Sequence, residues 1–227
     1  MKPILTVDGI DGSGKSTFAR TLHAALAAAG HAPVLFRVDD FRRPVAWTTP
    51  EAEAELYYDA YYDLARCDAC LGAFADGAAE IAIPTYDVVA ERMSGERTVA
   101  LGEATVAVVE GVFPLRLPRA AAGVVIYLAA SEDEARRRIV ARDAKKGRSV
   151  EEINRRIDRR YFPSQRRYHD ELDPRGRADL VIDNEDPRAR RTLRCDLTRV
   201  PEHLREILSV TAASPEVGTK KPGLPLL

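Results

Sequence analysis

Apolar residues along the chain follow two rhythms. Runs that are apolar at nearly every position occur at PILTVDG (3–9), PVLFRVD (33–39), ATVAVVEGVF (104–113), AAGVVIYLAAS (121–131) and ADLVIDN (178–184). Such runs predict strands buried on both faces. Between the first two, Phe18, Leu22, Ala25, Leu26 and Ala29 fall near one face of KSTFARTLHAALAAAG, and Gly30 stops the helix. Further helices are predicted over 56–77, over 131–147 from a capping box of Ser131 and Glu134, from a second box of Ser149 and Glu152 to Phe162, and over 201–210. AEIAIPTYD (79–87) reads as another strand, and 91–103 as a small hairpin turning at Ser94-Gly95. Residues 41–55 read as a loop broken by Pro44 and Pro50. Strands alternating with helices predict an α/β fold with a central, mostly parallel sheet and a β-hairpin insertion. Residues 1–210 are expected to form one domain. Residues 211–227 have no periodicity and three prolines, and are expected to be a disordered tail.

Composition narrows the classes of function. The 227 residues carry a formal net charge of −1, which gives no global attraction to nucleic acid or membrane. The charge is unevenly spread. Residues 1–130 hold 11 Lys/Arg against 17 Asp/Glu, whereas 131–200 hold 20 against 15. A basic segment after an acidic one suits an anionic ligand closed over from one side. No apolar run approaches the roughly 20 residues of a membrane span. Three cysteines, with Cys67 and Cys70 as a lone CxxC at no zinc spacing, fit a reducing compartment. The expected location is cytoplasmic. The expected partner is a small-molecule acceptor, with neither nucleic acid nor membrane, and oligomeric state is left open.

The stretch VDGIDGSGKST carries the chemistry. Gly9-x-x-x-x-Gly14-Lys15-Ser16 has the pattern of a phosphate-binding loop, with a strand before it and a helix after it. Glycines let successive N–H groups point inward as an anion nest, and the helix N-terminus adds partial positive charge. Gly9, Asp11, Gly12, Ser13, Gly14, Lys15, Ser16 and Thr17 are therefore the candidate nucleotide contacts. Lys15 can reach the β- and γ-phosphates, and the Ser16 hydroxyl can serve Mg²⁺. The expected cofactors are ATP and Mg²⁺, and the fold class sharpens to a P-loop NTPase three-layer fold.

Three other places bear on the reaction. Asp39 and Asp40, in VDDF, lie at a strand's carboxyl end, where either can accept a proton from an attacking hydroxyl or help hold the metal. Glu110 ends a wholly apolar strand, and a charge there suggests a place in the metal shell. The arginine-rich segment 136–167 reads as a helical lid whose arginines can neutralise charge on a moving phosphoryl group.

In order and spacing these features resemble the uridine kinase family, within the phosphoribulokinase/uridine kinase group of P-loop kinases. The resemblance runs over roughly residues 4–187. GIDGSGKST stands for the phosphate loop and DDFRRP for the family's Asp-x-Phe segment, which implies Asp39 as catalytic base and metal neighbour. YYDAYYD is similar to the segment that holds the acceptor, implying Asp63. IPTYD implies Tyr86 as a wall against the acceptor's ring, VVEGVF implies Glu110, and RRRIVARDAKKGR implies Arg142 and Arg148 near the phosphates. The chain departs from the pattern where the family reads a pyrimidine base. Glu91 stands about where a histidine is usual, an arginine near Arg156 replaces a glutamine, and Arg42 replaces a tyrosine. The resemblance implies γ-phosphoryl transfer from ATP to a hydroxyl of a uridine- or cytidine-like nucleoside. The alternatives are a nucleoside monophosphate kinase of thymidylate type, a kinase of a non-nucleoside alcohol, or a P-loop ATPase.

Overall fold

The structure, a computed structural model, describes residues 2–87, 90 and 92–213. The chain opens with β1 (Ile4–Gly9), α1 (Lys15–Ala28) and β2 (Pro33–Arg37), followed by a 3-10 turn, Val38–Phe41. Next come α2 (Glu53–Asp59), α3 (Leu64–Ala75), β3 (Glu80–Asp87), β4 (Arg92–Ala100) and β5 (Val106–Glu110). After α4 (Pro118–Ala122) and β6 (Val124–Ala129) come α5 (Glu132–Ala144) and α6 (Val150–Arg156). A π turn, Ile157–Tyr161, leads into α7 (Phe162–Leu172). The chain continues through α8 (Pro174–Arg177), β7 (Leu180–Asp183), β8 (Arg191–Cys195) and α9 (Glu202–Ala213).

Six strands form one sheet in the order β2-β5-β1-β6-β7-β8, parallel except for the last pair. Successive residues of each buried strand feed opposite faces. On one face Ile4, Phe36, Val109, Val125 and Tyr127 pack with Phe74, Leu71 and Tyr58. On the other, Leu5, Val7, Val108, Ile126 and Leu128 pack with Phe18 and Leu22 of α1 and Leu204 and Leu208 of α9. Burial on both faces is why these strands read as unbroken apolar runs. A third small core, Ala135, Ile139, Ile153, Ile157 and Phe162, holds α5 to α7 together, with Ile10 of the glycine loop packed against it.

Several sequence expectations are corrected here. The helix expected over 56–77 is two helices, broken at 60–63, and α2 starts inside the expected loop. The hairpin is β3 paired with β4, so Ser94-Gly95 is not its turn. Gly95 lies within β4 opposite Thr85, at a register shift. A glycine marks bulges as well as turns, which is why the motif misleads. β8 is a polar edge strand with every residue exposed, so it lacks an apolar signature. Cys67 and Cys70 are free and buried on α3, and burial pushes the Cys67 thiol up, away from reactivity. α9 runs to Ala213, three residues into the expected tail, and residues 214–227 lie outside the described ones. Among the described residues no helix is long and apolar enough to cross a membrane.

Candidate active site

The carboxyl ends of β1, β2 and β5 converge. Glu110, the last residue of β5, is in register with Val7 of β1 on one side and Arg37 of β2 on the other. Beyond these ends lies a cavity of about 470 Å³, lined by Gly12, Gly14, Lys15, Ser16 and Thr17 of the loop, together with Asp39, Glu110, Arg138 and Arg142. The loop needs Gly14 at φ 98, where an added Cβ would lie 2.5 Å from Nδ2 of Asn184. That same amide donates to the Ser13 carbonyl at 2.6 Å. Lys15 is nearly buried and donates to the carbonyls of Gly9 and Ile10 at 2.9 and 2.8 Å, curling over the loop. Gly14, Lys15 and Ser16 stand at the N-terminus of α1, where first-turn N–H groups lack helical partners.

Two expected nucleotide contacts play a different part. The Gly9 N–H is taken by Asp8 Oδ1 at 2.6 Å, and the Ser13 N–H donates to Ile10 O at 3.0 Å. Neither residue lines the cavity. They shape the loop. Asp11 is held the same way, its N–H donating to Gln165 Oε1 at 3.1 Å. Its carboxylate lines the cavity, with Oδ2 accepting from Gln165 Nε2 at 2.7 Å.

The expected metal residues come together. The Ser16 hydroxyl donates to Glu110 Oε2 at 2.9 Å, and Asp39 lines the same cavity. Among the described residues no cluster of three or more His, Cys, Asp or Glu could hold a metal alone. One hydroxyl and two carboxylates form a set of hard oxygens that suits Mg²⁺ shared with phosphate oxygens. Glu110 is 3% exposed. Burial first, and then neighbouring Asp39, push its carboxyl above the ordinary value.

A second cavity, of about 210 Å³, adjoins the first, and Asp11, Asp39 and Arg142 line both. Its wall is aromatic: Trp47, Tyr57, Tyr61, Tyr62 and Tyr161. Tyr57 and Tyr62 are fully enclosed phenols, held neutral by burial. Their hydroxyls lie 3.1 Å apart and 3.4 Å from Asp11 Oδ2 and Asp39 Oδ1 respectively, and their two protons serve two of these three contacts at a time. The two phenols thus stand between the two carboxylates. Arg42 closes on Asp39 Oδ2 at 2.6 Å.

Of the two candidate bases, Asp40 turns away from both cavities. Arg97 of the hairpin holds it at 2.9 Å, with Arg37 at 3.9 Å. Asp63 is corrected too. Its carboxylate caps α3, accepting from the Arg66 N–H at 3.1 Å, and it lines neither cavity. The same tyrosine-rich segment instead contributes Tyr57, Tyr61 and Tyr62. Four tyrosines flanking two acids were the available signal, and it points to the rings rather than to the acid. Tyr86 lies on β3 in register with Met93 and lines neither cavity. Glu91 lies outside the described residues. Arg156 lines the second cavity, with its Nε on Glu152 at 2.6 Å.

The lid cations are assembled around one buried carboxylate. Asp143 meets Arg142 at 2.8 Å, Lys146 at 3.2 Å and Arg148 at 3.3 Å. Burial works against its charge, but the surrounding cations prevail and hold its carboxyl below the ordinary range. Arg138, which sequence reasoning did not single out, ties the lid to the base. It donates to the carbonyls of Asn184 and Glu185, both at 2.8 Å, and to Gly12 O at 3.3 Å.

Comparisons with known proteins bear on the whole arrangement. The sequence model of the phosphoribulokinase / uridine kinase family matches residues 4–185. The fold is similar to that of a possible uridine kinase from Bacillus stearothermophilus, with 24% identity over 79% of this chain and 88% of that one, and a TM-score of 0.61. It is also similar to a candidate fructose transport system kinase from Silicibacter sp., with 21% identity over 74% of this chain and 85% of that one, and again a TM-score of 0.61. No curated protein matches the chain. With the family match spanning the glycine loop, Asp39, Glu110 and the lid, the chain belongs to the phosphoribulokinase/uridine kinase family of P-loop kinases.

Proposed function

We propose that the protein transfers the γ-phosphoryl group of ATP to a hydroxyl of a small acceptor. One observation carries this reading. A phosphate-type cavity and a second, aromatic-walled cavity meet at Asp11, Asp39 and Arg142. A hydrolase that uses water has no need of the second space, whereas a kinase must seat an alcohol there in line with the γ-phosphate.

The residues divide the work. The N–H groups of Gly12, Gly14 and Lys15 cradle phosphate oxygens, and the Lys15 ammonium balances the β- and γ-phosphate charge. Ser16, Glu110 and Asp39 would hold Mg²⁺, which supplies charge neutralisation at the phosphates when bound. Asp39, oriented by Arg42 and Tyr62, accepts the proton of the attacking hydroxyl. Arg142 and Arg148, brought in by lid closure, stabilise the charge on the moving group and exclude water. The aromatic wall suits the ring and sugar faces of a nucleoside of uridine or cytidine kind, the acceptor that the family resemblance implies.

The test is ATP consumption by the purified chain with Mg²⁺, across nucleosides, nucleoside monophosphates and small alcohols, beside a control without acceptor. Acceptor-dependent turnover is expected. Lys15→Ala is expected to lower it by at least about 100-fold with an unchanged melting profile. Equal ATP consumption without acceptor, or near-normal transfer by the variant, would refute the reading.

A further inference from the structure

The second cavity is more cationic than a neutral acceptor requires. At its junction with the phosphate site stand Asp11, Asp39 and Arg142. Past that junction the lining cations are Arg37, Arg42, Lys146, Arg148, Arg156 and Arg160, and among the described residues the only carboxylate lining it there is Asp143. Asp143 is already shared among three cations. The acids that neutralise Arg156 and Arg160 stand behind the wall. Glu152 takes Nε of Arg156, and the buried Glu53 takes Nε of Arg160. Neither acid lines the cavity, so the face turned to a ligand is cationic.

The local backbone builds this face. Arg156 and Tyr161 are five residues apart, and in an ordinary helix they would sit about 140° apart around the axis. Arg156 and Arg160, four residues apart, already share a face, and the wider π turn, Ile157–Tyr161, turns Tyr161 back toward it, so that all three line the cavity. Arg160 lies over the Trp47 ring, its guanidinium carbon 3.6 Å from the centroid, which fixes its plane. The side chains of Arg42, Arg156 and Arg160 are 22%, 19% and 7% exposed. Guanidinium groups withdrawn from water to this extent, with fixed planes, match the bidentate geometry of a carboxylate or phosphate. They are not needed for ATP, because the phosphate cavity has its own cations in Lys15, Arg20, Arg138 and Arg142.

Resting on the kinase reading above, but in place of its neutral nucleoside, we propose that the acceptor alcohol itself carries an anionic group, a carboxylate or a phosphate. Arg156 and Arg160, with Arg42 beside them, hold that group while the hydroxyl reaches Asp39. The aromatic wall then packs the carbon skeleton between the two polar ends.

The test uses the full chain with ATP and Mg²⁺ on matched acceptor pairs: glycerol and glycerate, ribose and ribose 5-phosphate, uridine and uridine 5′-monophosphate. In at least one pair the charged member is expected to exceed its neutral partner in kcat/KM by about 100-fold. The pair that does so separates the carboxylate source from the phosphate source. Arg156→Gln is expected to reduce that preference by about 10- to 100-fold through KM, with the KM for ATP unchanged. Arg156→Lys, which keeps the charge but not the fork, should fall between, and a melting profile for each variant checks its folding. Turnover of neutral members as good as or better than that of charged ones overturns this proposal and leaves the kinase reading standing. So does a variant that weakens charged and neutral acceptors alike. ATP consumption indifferent to every acceptor defeats the kinase reading and this proposal together.

Discussion

Glu110→Gln separates what this residue does for the reaction from what it does to the fold. The carboxylate is 3% exposed, and burial together with Asp39 raises its proton affinity. The Ser16 hydroxyl at 2.9 Å, Arg37 Nε at 3.4 Å and Lys15 pull the other way without prevailing. Arg37 is half-exposed, so its attraction is screened by water. A carboxyl whose folded-state value is raised supports the fold fully while protonated, and that support is lost as pH rises through the raised value. At pH 7.5 the charge therefore opposes folding. Glutamine keeps the shape and can still accept the Ser16 hydroxyl, but it carries no charge. An incompletely compensated buried group of this kind costs about 2 kcal/mol. In a domain of this size that corresponds to about 4–8 °C in Tm. The variant should melt higher than the wild type by that amount at pH 7.5, and by less at pH 5. Its γ-phosphoryl transfer should fall by about 100- to 1000-fold. The added stability that ATP with Mg²⁺ confers should also shrink, since that increment follows ligand affinity. Melting at or below the wild-type temperature at pH 7.5 would make Glu110 a satisfied structural group. Unimpaired transfer would remove it from the metal site.

Other perturbations test neighbouring parts of the argument. Asp8 is 1% exposed, and burial pushes its carboxyl up to about 6 against the pull of Tyr168 and the Gly9 N–H. Its contribution to stability is full below about pH 4 and is lost as pH rises through 6, a swing of about 3 kcal/mol. Asp8→Asn should remove the part of that swing falling between pH 4.5 and 8, about 2 kcal/mol in urea melts, and an unchanged difference between the two pH values would contradict it. Gly111 sits at φ 149, where an added Cβ would meet Cβ of Val38 at 2.6 Å. Val38 opens the turn that carries Asp39, so Gly111→Ala should cost about 1–3 kcal/mol and displace the base. Its kcat should fall while ATP-induced stabilisation persists, and loss of both together would point to general unfolding instead.

The phosphate half of the site was legible because it is local. A nest of N–H groups needs glycines at fixed spacing between a strand and a helix, and residues 9–16 carry all of that within eight positions. Glu110 was legible because a charge at the end of an apolar strand is costly unless used. The alternation of strands and helices likewise gave the parallel sheet. The errors have physical causes of their own. Asp63 looked like a ligand because its neighbours are aromatic, yet a helix N-terminus claims its carboxylate. The break between α2 and α3 leaves no proline or glycine to announce it, since residues 60–63 read Ala-Tyr-Tyr-Asp.

Of the second cavity the sequence pointed, as acceptor contacts, only to Asp39 and, through the family resemblance, to the place of Arg156, because side chains from separate segments build it. Trp47 comes from a loop, Tyr57 from α2, Tyr61 and Tyr62 from the break before α3, Arg156 from the end of α6, and Arg160 and Tyr161 from the π turn after it. A period of 3.6 residues carried from Ser149 through Phe162 keeps Arg156 and Arg160 on one face but turns Tyr161 away, so the two arginines read as a solvated helix face until the aromatic wall is seen beside them. The two halves share only Asp11, Asp39 and Arg142. Changes at positions 42, 47, 156 or 160 can therefore recast the acceptor space and leave the backbone nest untouched. The grip on phosphate is thus carried by a contiguous backbone motif. The second cavity is built by dispersed side chains, and under the proposed function it is their charge, more than the motif, that bears on which alcohol is phosphorylated.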